Sequence, residues 1–429
     1  MTLVGAHEFQ ASMAYREGAL QHLACGASST PRAAQRPVPI VAERAEGAWI
    51  IDADGNRFID YALGYGPLIL GHSPPTVLAA VRAELDRGLR TASVHRGEGE
   101  LAGLIAACVP SAEVTAFVST GTEAVQLALR VARAVTGRLP VARFRANYHG
   151  WFDNVNTAGA GGDGPLTVGQ DPAAADLFTL LDWGDADGLE RVLDGTYAAV
   201  LLEPAAINPG CFAPPPGFLE RVRAVTRRWG VLLMFDEVIT GFRMGLAGAQ
   251  GRYGVVPDLT VLGKALGAGL PIGAVSGTMA AMEPVASGRL MHRGTFNGNP
   301  LSMAAGVACI RALQADAGVL FPRIEGYAAA LASHFNREAV RLGVVGCAQQ
   351  VGPMLQLFMG VRGLAGIRDL CLVDIEATRR LTEGLLRRGV QAIPRGLMYV
   401  STAHGDAEVE LTMAALTGAL AGVGQERQG

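Results

Sequence analysis

The sequence predicts an α/β fold, and three observations predict it. Short apolar runs alternate with longer helical patterns through the middle of the chain, which is the pattern of a sheet layered with helices. The runs themselves lack polar alternation, as strands buried on both faces do. A polar or charged residue also follows each run directly, and in open α/β sheets ligands lie at the carboxyl ends of the strands.

Taken in order, the runs are Val114 to Val118, Val141 to Phe144, Ala198 to Leu202, Val231 to Phe235 and Leu259 to Leu262. The residues that follow them are Ser119-Thr120-Gly121-Thr122-Glu123, Tyr148-His149-Gly150, Glu203, Asp236-Glu237 and Lys264. Five strand ends therefore point at one site. Before this region, residues 1–68 hold a helical start, a Ser28-Ser29-Thr30-Pro31-Arg32 loop and a hairpin over Ala48 to Asp60, with Asp54-Gly55 as its turn. Residues 69–325 read as the large domain and 326–429 as a smaller C-terminal one. The glycine-rich stretch 159–169 reads as a mobile surface loop near the site.

Composition removes several function classes. Half of the residues are hydrophobic and 17% are charged, which excludes a disordered chain. A formal charge of −3 leaves no basic footprint for nucleic acid. No apolar run reaches the length of a membrane span, and the start MTLVGAHEFQAS lacks the pattern of a secretory signal. Six cysteines without CxxC spacing suit reduced, mostly buried thiols in the cytoplasm. With no HExxH and no paired Cys/His cluster, no metal is expected. Of the 36 basic residues one is lysine, Lys264, and the other 35 are arginine. Arginine supplies charge as well as lysine does, so a lone lysine points to a need for an amine; a biased composition with one leftover lysine is the plainer account.

Each candidate residue has a chemical and a plain structural reading. Ser119 to Glu123 opens a helix after a strand, where free N–H groups and the helix dipole favour a phosphate; an ordinary cap by Thr120 and Glu123 is the alternative. Asp236 ends an apolar strand, where a carboxylate needs a cation such as a protonated ring nitrogen, or a plain arginine partner. Lys264 lies among apolar and glycine residues, which suits a nucleophilic amine better than a solvated loop lysine. Tyr148-His149-Gly150-Trp151 offers an aromatic face for a flat ring, or simply core packing. Arg32 and Arg395 lie in loops beside proline and can clamp a carboxylate, although any one arginine among 35 is more often a surface residue. Neither a GxGxxG fingerprint nor a P-loop is present, since Gly263-Lys264 is followed by Ala265.

Phosphate cradle, aromatic plate, buried aspartate and lone amine are the four groups a pyridoxal 5′-phosphate (PLP) enzyme needs. From about Arg32 to His404 the chain resembles the class III aminotransferases of PLP fold type I. The matching segments are Tyr65 to His72, Ser119 to Glu123, Tyr148 to Trp151, Glu203-Pro204, Phe235 to Arg243, Pro257 to Lys264 and Gly294 to Pro300. The resemblance is nearest to the glutamate-1-semialdehyde 2,1-aminomutase branch and its relatives such as the D-phenylglycine aminotransferases.

The resemblance implies a large domain with a mostly parallel sheet sandwiched by helices, plus a smaller α+β domain built from both termini. It implies that Lys264 forms the internal aldimine, that Asp236 pairs with the pyridinium nitrogen, and that Tyr148 and Val238 cover the two ring faces. Gly121 and Thr122, with Ser119 and Thr120 beside them, would bind the phosphate, joined by Thr295 from the second subunit of a homodimer with shared active sites. Asn208 would lie near the ring hydroxyl, with His149 and Glu203 also in the cofactor site. Arg32 falls where the aminomutase branch places a carboxylate-binding arginine, and Tyr65 replaces its usual tryptophan. Where that branch carries a Phe-Glu pair before the final strand, this chain runs Pro394-Arg395-Gly396-Leu397. An Arg-Gly loop there is similar to the D-phenylglycine and β-amino-acid aminotransferases. The implied activity is transfer of an amino group between a carboxylate-bearing amino acid and a keto acid by ping-pong half-reactions, with an aminomutase as the alternative.

Overall fold

All five apolar runs become strands of one sheet in the computed structural model, which describes residues 7–157 and 167–426. The chain divides into two units. The first comprises residues 1–74, 322–365 and 372–429, and the second 75–321 and 366–371.

The second unit carries a seven-stranded sheet. Its order runs Val114–Val118, Gly273–Gly277, Leu259–Gly263, Leu232–Asp236, Ala199–Leu202, Val141–Phe144, Phe178–Leu181. Only Gly273–Gly277 runs against its neighbours; the others lie in one direction. All residues of Ala199–Leu202, Leu259–Gly263 and Val141–Phe144 are buried, as unbroken apolar runs require. The Gly121–Thr136 helix packs on the sheet through Val125, Leu129 and Ala132, while Gln126 and Arg130 face solvent, and Gly137 ends it in the left-handed conformation.

Two of the seven strands escaped the sequence reading. Gly273–Gly277 is short and rich in small residues, a composition with little strand propensity. Packing explains it: a Cβ on Gly273 would lie 2.2 Å from the Thr120 carbonyl oxygen, so only glycine permits this close approach. Phe178–Leu181 forms the sheet edge beside Val141–Phe144.

In the first unit the hairpin forms as the Asp54-Gly55 turn suggests. Trp49–Asp52 pairs antiparallel with Arg57–Asp60, flanked by Ala42–Glu46 on one side and Val390–Gln391 on the other. The turn also caps a helix: Asp54 accepts the backbone N–H groups of Ala11 and Ser12 at the start of Gln10–Ala19, at 2.6 and 3.1 Å. A second sheet joins Gly346–Val351, Met354–Met359 and Leu397–Tyr399.

Four expectations need amendment or fall elsewhere. Residues 69–74 stay with the first unit, because Gly47 and His72 exchange backbone hydrogen bonds and His72 meets Asp60 at 2.8 Å. At the other end the division falls at Pro322, inside the Ala317–Arg341 helix, rather than near 325. The segment around Arg32 is a single helical turn, Thr30–Ala33, with Pro31 presetting its first residues. The segment 159–169 lies, over 158–166, outside the described residues. Among the described residues no single helix is long and apolar enough to cross a membrane, no His/Cys/Asp/Glu cluster could hold a metal, and no disulfide joins any of the six cysteines.

One buried group gives the first unit a pH dependence. His404 is 1% exposed, stacks on Tyr61 at 4.3 Å, and its Nδ1 accepts the Ser401 N–H at 3.0 Å, which requires an unprotonated nitrogen there. Burial pulls the imidazole down to about 4. The unfolded chain takes up this proton near pH 6.5, the folded chain only near 4, so stability falls as pH drops through that window. The residue should contribute a loss of up to ~3 kcal/mol between those limits. Denaturant titrations at stepped pH should show a shallower acid slope for His404→Gln; identical slopes would contradict the assignment.

Candidate active site

In the second unit the carboxyl ends of the sheet strands hold the candidate cofactor residues. Leu232–Asp236 buries Leu233, Met234 and Phe235, which carries Asp236 to a position 4% exposed. Its carboxylate accepts the Val238 N–H at 3.1 Å on one oxygen and meets His149 Nδ1 at 2.7 Å on the other. His149 is itself 1% exposed. Tyr148, by contrast, leaves nearly half of its surface open. Partial burial and the Asp236 charge raise its phenol above the usual range.

Glu203, at the end of Ala199–Leu202, has no open face. One oxygen accepts the Tyr148 N–H at 2.8 Å and the Asn208 side-chain N–H at 2.9 Å. The other accepts the backbone N–H groups of Ile207 and Asn208 at 3.0 and 3.1 Å. Burial raises this carboxyl, and the donors around it together with His149 oppose the rise. Its carboxylate contacts are thus with Tyr148, Ile207 and Asn208, and it fixes where Tyr148 and Asn208 stand.

The Gly121–Thr136 helix begins beside these groups. Thr120 is the cap, its hydroxyl accepting the Glu123 N–H at 3.2 Å, while the Glu123 carboxylate accepts the Ser119 N–H at 2.9 Å. The capping reading of this segment therefore holds, and it leaves the Gly121 and Thr122 amides, at the first two helical positions, without intrahelical acceptors. A Cβ on Gly121 would come within 3.2 Å of Val238, and one on Gly150 within 2.9 Å of Thr122. The helix start, Val238 and the Tyr148 loop accordingly close on one another with little slack.

Lys264 follows Leu259–Gly263 in the left-handed conformation, φ 44°, which costs a non-glycine residue about 1–2 kcal/mol. Its short turn, Lys264–Gly267, is anchored from behind: Cys309 Sγ donates to the Ala265 carbonyl at 3.3 Å. Thr295 is exposed in the turn around 294–299, where His95 Nε2 reaches the Gly298 carbonyl at 2.7 Å. It shares no hydrogen bond with Gly121 or Thr122 among the described residues.

The three candidate substrate residues all belong to the first unit. Tyr65 is presented by a left-handed run, Leu63 to Gly66, held by Asp60, whose carboxylate accepts the Ala62 and Leu63 N–H groups. Burial raises the Tyr65 phenol, and the charges of Arg32 and Arg395 both oppose this, so both guanidinium groups act on one hydroxyl. Arg32 and Tyr65 line a cavity of about 790 Å³ together with Ser28, Ser29, His72 and Pro394. Arg395 stands before Gly396, φ 93°, where a Cβ would lie 2.4 Å from the Leu357 carbonyl oxygen. The sequence reading did not foresee the His149 and Asp236 contact, nor the four donors on Glu203. The partners are up to 87 positions apart, and no local pattern signals them.

Fold and site together define a PLP-dependent enzyme of fold type I. A family model, aminotransferase class-III, matches residues 30–359, and the chain belongs to that family. A relative, the glutamate-1-semialdehyde 2,1-aminomutase of Roseiflexus castenholzii, is 40% identical over 408 residues, covering 92% of this chain and 94% of its own. Among solved structures, an omega-transaminase from Sphaerobacter thermophilus matches with a TM-score of 0.90 at 34% identity over 98% of both chains. A β-phenylalanine aminotransferase from Variovorax paradoxus matches with 0.85 at 32% identity, over 95% of this chain and 93% of its own. The residues present fit PLP: unpaired helix N–H groups suit a phosphate, and a buried carboxylate suits a protonated ring nitrogen.

The tight seat of Gly121 gives a test of this cradle. Gly121→Ala should leave unfolding stability within about 0.5 kcal/mol, since alanine suits a helix at least as well as glycine. Its methyl group should push Val238 aside and weaken PLP binding roughly tenfold, about 1.4 kcal/mol, measured by titrating the apoenzyme. Unchanged affinity would separate Gly121 from the cofactor.

Proposed function

We propose that the protein is an aminotransferase that moves an amino group from a carboxylate-bearing amino acid to a keto acid in two half-reactions. The observation that carries this reading is the placing of the chain's only lysine and a buried aspartate at the ends of neighbouring strands, Leu259–Gly263 and Leu232–Asp236. Bound PLP supplies an electron sink for the substrate carbon. Asp236 keeps the ring nitrogen protonated, and the Lys264 amine takes the proton from the substrate carbon and returns it. Tyr148 stacks on one ring face and Val238 packs the other. The Gly121 and Thr122 amides, with Ser119 and Thr120 beside them, hold the phosphate, and the Asn208 amide orients the ring hydroxyl.

Arg32, Tyr65 and Arg395 bind the substrate carboxylate, which the convergence of both arginine charges on Tyr65 supports. The enzyme acts as a homodimer in which Thr295 reaches the phosphate of the second copy. Met291 and Phe296, beside it, are 62% and 63% exposed, as apolar side chains awaiting a partner surface are. Six cysteines with no disulfide among them suit the cytoplasm.

A mutase that keeps its intermediate bound and isomerises one substrate is the second reading, favoured by the 40% identical relative. A screen of amino donors, read by conversion of the cofactor to its amine form, separates the two. Conversion by simple donors followed by turnover with a keto acid supports transamination; isomerisation of one substrate with no acceptor, and no response to other donors, overturns it.

Two sets of substitutions bear on the residues. Lys264→Ala should abolish turnover and the visible absorbance of the lysine-bound cofactor, and a variant retaining wild-type rate would refute its role. Arg32→Ala and Arg395→Ala, made singly, should raise KM for the acid substrate by roughly 10- to 100-fold at whichever arginine holds the carboxylate, the loss of one charge-assisted pair. Unchanged KM in both would place the carboxylate elsewhere.

A further inference from the structure

The second unit holds a cavity of about 600 Å³ bordered by three helices, Pro75–Leu85, Arg96–Cys108 and Pro300–Ala315. No residue proposed for the cofactor or the substrate lines it. Its floor is apolar: Ala80 and Ala83 come from the first helix, and Ala304, Val307 and Ala308 from one face of the third. Side chains this short leave the hollow unfilled. Its walls are cationic, with Arg87, Arg90, Arg96 and Arg311 set against two carboxylates, Glu84 and Glu100. Glu84, which is buried, is held by Arg87 at 3.2 Å and also by Arg90, and Glu100 meets Arg311 at 2.6 Å. Arg96 forms no ion pair among the described residues. His95 adds no charge: its Nε2 donates to the Gly298 carbonyl at 2.7 Å and its other nitrogen accepts the Glu98 N–H, an arrangement the neutral ring satisfies. Four guanidinium groups against two carboxylates leave an excess of two positive charges. Such like charges repel, and walls of low dielectric focus their field into the hollow. A dianion relieves the surplus. Guanidinium forks fit phosphate oxygens, and the floor fits a compact apolar body.

We propose that this cavity is a second ligand site, which takes a small organic phosphate monoester with its phosphate against the arginines and its apolar part on the alanine floor. The site stands whether the enzyme is a transaminase or a mutase, since it shares no residue with the groups that either reaction uses.

The test titrates the PLP-loaded, full-length enzyme with phenyl phosphate in a calorimeter, with the cofactor absorbance recorded throughout so that any displacement of PLP is seen. Phenyl phosphate should bind saturably, one per chain, and leave the absorbance unchanged. Inorganic phosphate, which keeps the charge and lacks the apolar body, should bind at least roughly tenfold more weakly. Phenol, which keeps the body and lacks the charge, should bind more weakly still. Arg96→Ala should weaken phenyl phosphate roughly tenfold, the cost of one charge-assisted contact. Ala304→Leu, which fills the floor, should weaken it at least as much. Both variants should keep wild-type PLP content and turnover. Absence of saturable binding overturns the proposal, as does phenyl phosphate binding no tighter than inorganic phosphate. Wild-type affinity in both variants overturns it too. Binding that appears only as PLP is lost reports the cofactor cradle instead and equally overturns the assignment to this cavity.

Discussion

Keeping a negative charge on Asp236, almost out of reach of water, is the constraint around which the second unit is arranged. An unpaired buried carboxylate costs several kcal/mol and tends to neutralise instead. The strand beneath it admits no retreat, because Leu233, Met234 and Phe235 are fully buried and fix its last residue. Compensation therefore has to come from neighbours, and it comes from one imidazole and one backbone amide. A second buried carboxylate nearby would worsen the repulsion, and Glu203 is tolerable there because four N–H groups surround it. Those same donors belong to Tyr148, Ile207 and Asn208. Solving the electrostatic problem at Glu203 thus places two of the groups that border the site.

Backbone strain is present at two of the positions where chemistry is expected. Lys264 at φ 44° and Tyr65 at φ 69° are both left-handed non-glycine residues, a conformation that persists only when surroundings over-determine it. For Lys264 the restraint is Cys309, whose thiol donates to the carbonyl of the next residue, Ala265, at 3.3 Å. For Tyr65 the restraint is Asp60, with three donors on its carboxylate from Ala62, Leu63 and His72. Only one residue type suits the first of these positions chemically. A guanidinium stays protonated, so arginine can replace lysine as a charge but not as a nucleophilic amine. A chain that has used arginine at every other basic position retains its lysine there.

Legibility in the sequence followed the range of the interactions. Strands such as Val141–Phe144 and Ala199–Leu202 were readable because burial on both faces leaves an unbroken apolar run. The hairpin was readable because Asp54-Gly55 dictates a turn. Gly273–Gly277 was not, since its reason is a contact with Thr120 across the sheet. The one-turn helix at Arg32 was hidden by a Ser/Thr/Pro composition that reads equally as a loop. In the site, residue types at strand ends announced Asp236 and Lys264, whereas the imidazole that meets Asp236 comes from the loop after Val141–Phe144, 87 positions away. Chemistry-bearing groups were visible one by one, and the network that orients them was not.

The cofactor-side residues are common ground for a transaminase and a mutase, since both need the same amine, carboxylate and ring-covering groups. What divides the two is whether the product leaves between half-reactions, and that is decided by the groups that hold the substrate. Arg395 sits in a turn that Gly396 makes possible, with no room for a Cβ beside the Leu357 carbonyl. The Gln356 side-chain amide also donates to the Arg395 carbonyl, so the turn is fixed on both sides. A Phe-Glu pair could not be laid onto this backbone, because any residue in place of Gly396 would collide with its own sheet. If Arg395 binds the substrate carboxylate as proposed, the Arg-Gly turn offers that substrate a cation at the position where the aminomutase branch carries an aromatic and an acid. On that proposed role a cation there suits a succession of carboxylate-bearing donors and acceptors that enter and leave, which is the requirement of transamination and the ground on which it is proposed ahead of the mutase reading.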